Sequence, residues 1–447
     1  MLHPDSPALI RFVRQRLQLF ASLPFYLGAV VCLALVLRLL VVALVIPQVS
    51  ANTFDHNEFG WEMGWVARSI ALGHGFSSPF LPISGPTALV PPIYPYFLAT
   101  MFRLFGLYTP AAAFAVLGFN SLCSALTCIP LFFLVRNSIN ERVGRIAAFA
   151  WAIYPFAIYF SADRVWDYAL TSLLFTTCLL IAQRLHLRGS VAWAGFGALY
   201  GIAVLSNPSI STMLPILLLL AAYKVWKVNG SWHLKGLIAM LAFLAVCTPW
   251  NLRNQREMHS TFFVRDGFWI EFYAGNNGDT TESNAPWAHP ASNANEMVKF
   301  RTLGEIAYIA DKHHLATDFV SHHKAFFLAS TLHRFVRFWT GYWSFSASYL
   351  RYEPLDLPNF PFCLFLCWAM VRGIRHLWRA DAPASLPYLA AVLVFPLPYY
   401  LTHCSMDYRQ PLEPVILILV VVGLFGTRTG MHDLRRIARR RRQQVAS

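Results

Sequence analysis

Long apolar runs constrain this chain before anything else. Phe25–Pro47, Leu234–Pro249 and Pro411–Gly426 carry almost no charge, and a helix that crosses a bilayer needs about 20 mainly apolar residues. Composition agrees. Of 447 residues 56% are hydrophobic and only 13% are charged, where a soluble globule carries about 25%. The 14 Trp and 18 Tyr suit the belts at the two membrane–water boundaries. The fold class expected is an all-α polytopic membrane protein. Ten spans are read, at about 24–47, 111–135, 146–161, 168–185, 191–206, 209–226, 234–250, 357–371, 384–402 and 411–427. Arg11, Arg14 and Arg16 precede a full-length first span with no small-residue cleavage site, so no cleavable signal peptide is expected.

Basic residues in the short connections set the sidedness. The inner connections are read as Arg11 to Arg16, Arg136 to Arg145, Arg184 and Arg188, Lys224 to Lys235, Arg372 to Arg379 and the tail from Arg428. They hold 21 of the 36 basic residues and 4 of the 22 acids, a net +17. The outer side carries 14 basic against 18 acidic residues, a net −4, and Arg38 lies inside the first span. Both termini are then cytoplasmic in an inner or plasma membrane. The tail Arg435–Arg442 suits anionic lipid headgroups better than nucleic acid. Residues 91–106 are read as a helix lying in the interface, opened by Pro91, Pro92 and Pro95, because a span there would put Arg136, Arg142 and Arg145 outside. Residues 325–345, with Arg334 and Arg337, are read the same way.

Three regions follow: an N-terminal transmembrane module over 1–250 with a first outer loop at 48–110, an outer loop region at 251–356, and C-terminal spans with a basic tail over 357–447. Seven cysteines from Cys32 to Cys367 fall in or beside spans and read as small apolar residues. His313, His314, His322, His323 and His333 lack an HExxH pattern, so no dedicated metal is expected there.

Chemistry requires the polar groups at the outer boundary. The first loop opens Phe54-Asp55-His56-Asn57-Glu58-Phe59-Gly60-Trp61-Glu62. On one helix Asp55, Glu58 and Glu62 would share a face, which like charges tolerate only with a proton or cation to relieve them. Ser161-Ala162-Asp163-Arg164-Val165-Trp166-Asp167 sets Asp163 and Asp167 at the same four-residue spacing. Arg253 and Arg409 stand at outer helix ends, where a guanidinium can hold a phosphate or simply reach a lipid headgroup. Arg38 inside a span should face the protein interior.

Taken in order, these features resemble the GT-C superfold, specifically bacterial relatives of the dolichyl-phosphate-mannose protein mannosyltransferases and the lipid A aminoarabinose transferase. The carriers are the acids after the first span, the Pro-Pro-x-Tyr-Pro helix ending Leu104-Phe105-Gly106, Pro249-Trp250 through Arg253-Asn254 to Gly275-Asn276, and Asp407-Tyr408-Arg409-Gln410-Pro411. At the start of the interfacial helix, where the aminoarabinose transferase has a lysine, this chain has Val90-Pro91. The resemblance implies an inverting glycosyltransferase that uses a polyprenyl-phosphate-linked sugar as co-substrate and no organic cofactor, with divalent-metal dependence left open. Asp55 is then the catalytic base, with Glu58 as the alternative; Asp163 and Asp167 position it or the acceptor, and Arg253 and Arg409 take the leaving phosphate. The acceptor is a protein, a lipid or a glycan. A transporter or flippase of lipid-linked glycans is the competing reading, weakened by the lack of an internal repeat.

Overall fold

A computed structural model describes residues 22–51, 59–80, 83–227, 230–280, 288–352, 354–380 and 382–426. Eight of its helices are long and apolar enough to cross a membrane. In chain order, the elements begin with α1 (Leu23–Ile46), followed by the two short helices α2 (Trp61–Ala71) and α3 (Ile93–Phe105). Then come α4 (Pro110–Ser138), the bent pair α5 (Glu141–Ala152) and α6 (Pro155–Asp163), α7 (Tyr168–Leu187), α8 (Ser190–Ser206), α9 (Pro208–Trp226) and α10 (Trp232–Met258). The 251–356 region contributes α11 (Phe268–Gly275), α12 (Ala294–Leu303), α13 (Glu305–His322) and α14 (Lys324–Thr340). The last spans are α15 (Asp356–Ala380), α16 (Pro383–Leu401) and α17 (Met406–Phe425).

Each expected span therefore coincides with a helix, but two are irregular. The α5–α6 pair, bent by 43°, makes a ninth crossing if it is one broken span, and α8 is a shorter apolar helix. Helix α3, at 13 residues, rises about 20 Å and cannot cross a hydrocarbon core of about 30 Å. It packs on α2, and its Phe102 ring lies 5.7 Å from that of Phe59, just before α2.

The break between α5 and α6 explains Arg38. A continuous helix would bond the amide of residue 155 to Trp151 O and that of 156 to Ala152 O. Pro155 has no N–H to give. Arg38, fully buried, supplies the missing donors: Nη2 to Trp151 O at 3.2 Å, Nη1 to Ala152 O at 3.0 Å and Nε to Ser124 Oγ at 2.9 Å. Its partners are backbone carbonyls and a hydroxyl.

Close helix contacts rest on missing side chains. Gly373 on α15 and Gly423 on α17 face each other's helix, and a Cβ on either would overlap the Leu419 or Ala369 carbonyl. Such small-residue contacts let backbones approach where no hydrophobic drive operates between helices.

The second long loop folds as helices and shares a small core with the first loop, built from Phe80, Leu89, Ile270, Phe300, Tyr308 and Ile309. The strap at 87–89 ties the two together. Glu305 accepts from Thr87 Oγ1 and Ala88 N, both at 2.6 Å, and Asp266 N donates to Ala88 O. Helix α14 is amphipathic in an unusual sense: Arg334 and Arg337 point inward while Leu328, Leu332 and Phe335 are exposed. All eight cysteines are free, as expected of apolar fillers.

Replacing Arg38 by Ala strands the Ala152 carbonyl in an apolar interior and leaves Trp151 O only its 3.3 Å bond from Tyr154 N. Each unpaired buried group costs about 1–3 kcal/mol, so Arg38→Ala should lower the unfolding temperature in detergent well below that of a lipid-facing control such as Leu40→Ala. Equal unfolding temperatures would contradict the role assigned to Arg38.

Candidate active site

The 163–167 turn is a rigid reference point. Asn120, buried on α4, donates through Nδ2 to Arg164 O at 3.1 Å and Trp166 O at 3.3 Å, and it also bonds Tyr94 on α3. Gly60, at φ 88°, packs on this turn so tightly that a Cβ would overlap the Val165 carbonyl. The first loop therefore enters the described structure against Val165. Asp55 and Glu58 lie outside the described residues. Gly60 and Trp61 both have positive φ, and α2 starts only at Trp61, so no helical face runs back from Glu62 through Phe59.

Asp163 and Asp167 do not share a helix face either. Helix α6 ends at Asp163, and Asp167 occupies the N-cap position of α7. Asp163 is partly exposed and faces Arg164 Nε at 3.4 Å. Asp167 is fully buried; its Oδ2 accepts from Thr171 Oγ1 at 3.0 Å, while Oδ1 has no partner. Burial pushes its pKa up to about 6 against the pull of Thr171 and Asn207.

Beside this turn, residues from three separate segments meet. Glu62 on α2 sits 3.7 Å from His289 Nε2. Glu271 on α11 stands 3.3 Å from His403 Nδ1 and 3.9 Å from Arg265 Nη2. His403, in the turn between α16 and α17, also bonds Tyr408 OH through Nε2 at 2.7 Å. The two acids divide in behaviour. Burial, reinforced by the nearby Glu271, raises Glu62 to about 7. Burial would raise Glu271 as well, but His403, His289 and Arg265 outweigh it and hold its pKa below the ordinary value. Burial lowers both imidazoles, so His289 and His403 are mainly neutral near pH 7. An ionised carboxylate, a second carboxyl titrating near neutrality and neutral imidazoles form a set suited to binding hydroxyls and moving protons.

The two arginines expected at a phosphate are committed to structural partners. Arg253 donates to Thr87 O at 2.7 Å and Phe76 O at 2.6 Å, and its guanidinium lies over the Trp250 and Phe76 rings, clamping the first loop to α10. Arg409 is buried, pairs with Glu413 on its own helix and donates to Phe338 O at 3.1 Å and Trp339 O at 3.2 Å. Arg265, one-third exposed and only loosely paired, is the cation that the structure brings to this cluster.

Sequence reasoning passed over Glu271, Arg265 and Tyr408, although they stand in the segments it singled out, and His403, four residues before one of them. A carboxylate inside an aromatic run gives no spacing signal. His289 carried no signal at all. His313, His314, His322 and His323 are exposed on or beside α13, and His313 stacks on Trp269 at 3.7 Å.

Known proteins resemble the chain in part of its sequence and in its fold. The family model for dolichyl-phosphate-mannose-protein mannosyltransferase matches residues 89–251. An undecaprenyl phosphate-alpha-4-amino-4-deoxy-L-arabinose arabinosyl transferase 2 of Pseudomonas fluorescens is 30% identical over 98 residues, covering 22% of this chain and 16% of that protein. Among solved structures, the archaeal oligosaccharyltransferase AglB of Archaeoglobus fulgidus, in complex with an inhibitory peptide and a dolichol-phosphate, superposes with a TM-score of 0.50 at 15% identity, over 90% of this chain and 50% of that one. The Archaeoglobus fulgidus oligosaccharyltransferase tethered to an acceptor peptide gives 0.52 at 14% identity, over 91% and 50%. The chain thus spans about half the length of the solved structures it matches. At these identities the likeness is one of fold: this is a polytopic membrane protein with the GT-C fold that its motifs resemble.

The raised Glu62 has a consequence for stability. Below its ordinary pKa the carboxyl is protonated in folded and unfolded chains alike. As pH climbs from there to about 7, the unfolded chain loses the proton first, so the fold weakens across that window. Glu62→Gln should flatten this part of the pH–stability curve between about pH 5 and 8, measured by thermal unfolding in detergent. An unchanged slope would show that Glu62 is not held in this environment.

Proposed function

We propose that the chain is an inverting glycosyltransferase that moves a sugar from a polyprenyl-phosphate donor to an acceptor at the outer membrane face. The observation that carries this is the convergence of Glu62, Arg265, Glu271, His289, His403 and Tyr408 from three segments at one end of the helices, next to the buried Asp167. The basic connections around Arg142, Arg188, Lys227 and Arg375 belong to the opposite ends of these helices, which supports reading the cluster end as the outer one. The oligosaccharyltransferase of like fold holds a dolichol-phosphate, in keeping with a lipid-phosphate donor here.

In the transfer, the acceptor hydroxyl oxygen attacks the anomeric carbon as that carbon's bond to the phosphate oxygen breaks. The hydroxyl proton passes to a first-loop carboxylate, and the lipid phosphate leaves with its charge. Asp55 is the proposed base and Glu58 its alternative; neither lies in the described residues, so the first loop's entry against Val165 is what supports the assignment. Arg265 stabilises the departing phosphate, a role the partners of Arg253 and Arg409 leave to it. Asp163 and Asp167 position the nucleophile.

The reading is tested in proteoliposomes that contain a polyprenyl-phosphate sugar and a candidate acceptor. Asp55→Asn should reduce transfer by about 10²-fold or more with thermal stability retained, and Arg265→Gln should reduce it by about 10²-fold. Full transfer by Asp55→Asn with loss in Glu58→Gln would move the base to Glu58. Full transfer in both would remove the first-loop base altogether. Movement of intact glycolipid across the membrane, with its phosphate–sugar bond unbroken, would establish a transporter instead.

A further inference from the structure

Glu271, His403 and Tyr408 form a line. The Glu271 carboxylate stands 3.3 Å from His403 Nδ1, and His403 Nε2 stands 2.7 Å from the Tyr408 hydroxyl. The first contact is electrostatic rather than an aligned hydrogen bond, since Nδ1 has no hydrogen-bond partner. A carboxylate on that side still favours the tautomer that carries its proton on Nδ1. Nε2 is then the bare nitrogen, and the phenol donates its proton to it. The phenol's only hydrogen is used, and the oxygen keeps lone pairs that can only accept.

The surroundings hold this geometry. Tyr408 stacks nearly parallel on Tyr399, with ring centroids 5.0 Å apart. Burial, helped by the positive charges of Arg334, Arg337 and Arg265 and opposed by Glu271, holds the His403 imidazole below its ordinary pKa. Arg334 is anchored by Gly275 O, Asn276 Oδ1 and Leu401 O, so its share of that charge is held in place.

An acceptor-only oxygen repels a phosphate and attracts a hydroxyl. Arg265, the proposed phosphate ligand, touches the same Glu271, so the donor's sugar ring is the hydroxyl-bearing group that lies closest when the phosphate is bound. We infer that Glu271, His403 and Tyr408 are a positioning triad in which the Tyr408 oxygen accepts a hydrogen bond from a hydroxyl of the donor sugar. This rests on the transfer reading above and adds to it the residues that recognise the sugar.

The experiment measures binding, which needs no turnover, and then kinetics. Binding of a polyprenyl-phosphate hexose and of bare polyprenyl phosphate is titrated by tryptophan fluorescence for the full chain, Tyr408→Phe, His403→Gln and the double variant. Tyr408→Phe keeps the ring stack and should weaken hexose-lipid binding about 3- to 10-fold, leaving bare polyprenyl phosphate unchanged. The double variant should be no weaker than the worse single variant, because the two groups act in series. In the transfer assay the donor KM should rise with little change in kcat. Equal weakening of both lipids, additive losses, or a KM rise confined to the acceptor would overturn the triad. If the wild-type protein binds the hexose lipid with the expected discrimination and transfers nothing, the transfer reading fails while the triad stands.

Discussion

Buried and half-buried arginines donating to backbone carbonyls hold this structure together. In an apolar interior no water satisfies a broken helix, so each interruption needs a donor from elsewhere. Arg38 serves the break between α5 and α6, and Arg253 serves the first loop. Arg334 joins the end of α11 to the end of α16, and Arg409 joins α14 to α17. A guanidinium suits the task because it presents five donors on a planar fork and stays charged. Among the described residues, the charge of these four is matched by an ion pair only at Arg409, by Glu413.

These clamps fix where the chemistry can occur. The bend after Ala152 directs α6 so that it ends at Asp163, and Asn120 then locks the following turn. Arg253 and Glu305 hold the strap at 87–89 from two sides, which presses the first loop onto the second. Glu62 and His289 meet across that packing. Arg334 does the same for Glu271 and His403, since Gly275 follows Glu271 on α11 and Leu401 precedes His403.

Much of the helical frame was legible in the sequence because hydropathy is a local property. All ten apolar segments coincide with helices, and the short α3 was recognised from its prolines and from the arginines that follow it. Spacing misled where a break intervened: Asp163 and Asp167 stand four apart across a helix end, and Gly60 interrupts the run before Glu62. The carbonyl partners of Arg253 and Arg409 were not legible, because carbonyl acceptors occur at every residue and leave no mark in a sequence. The Glu271–His403 contact spans 132 positions, and no periodic pattern encodes a pairing of that range.

The central claim is that one polar cluster at one end of the helices holds the lipid phosphate beside the first-loop acids. A structure of the protein with bound polyprenyl phosphate tests it most directly. The account predicts the phosphate at Arg265, with the sugar ring rather than the phosphate at Tyr408, and with Arg253 and Arg409 still bonded to their carbonyls. A phosphate seated on Arg253 or Arg409 with those bonds broken, or bound at the opposite end near Arg145, would contradict it.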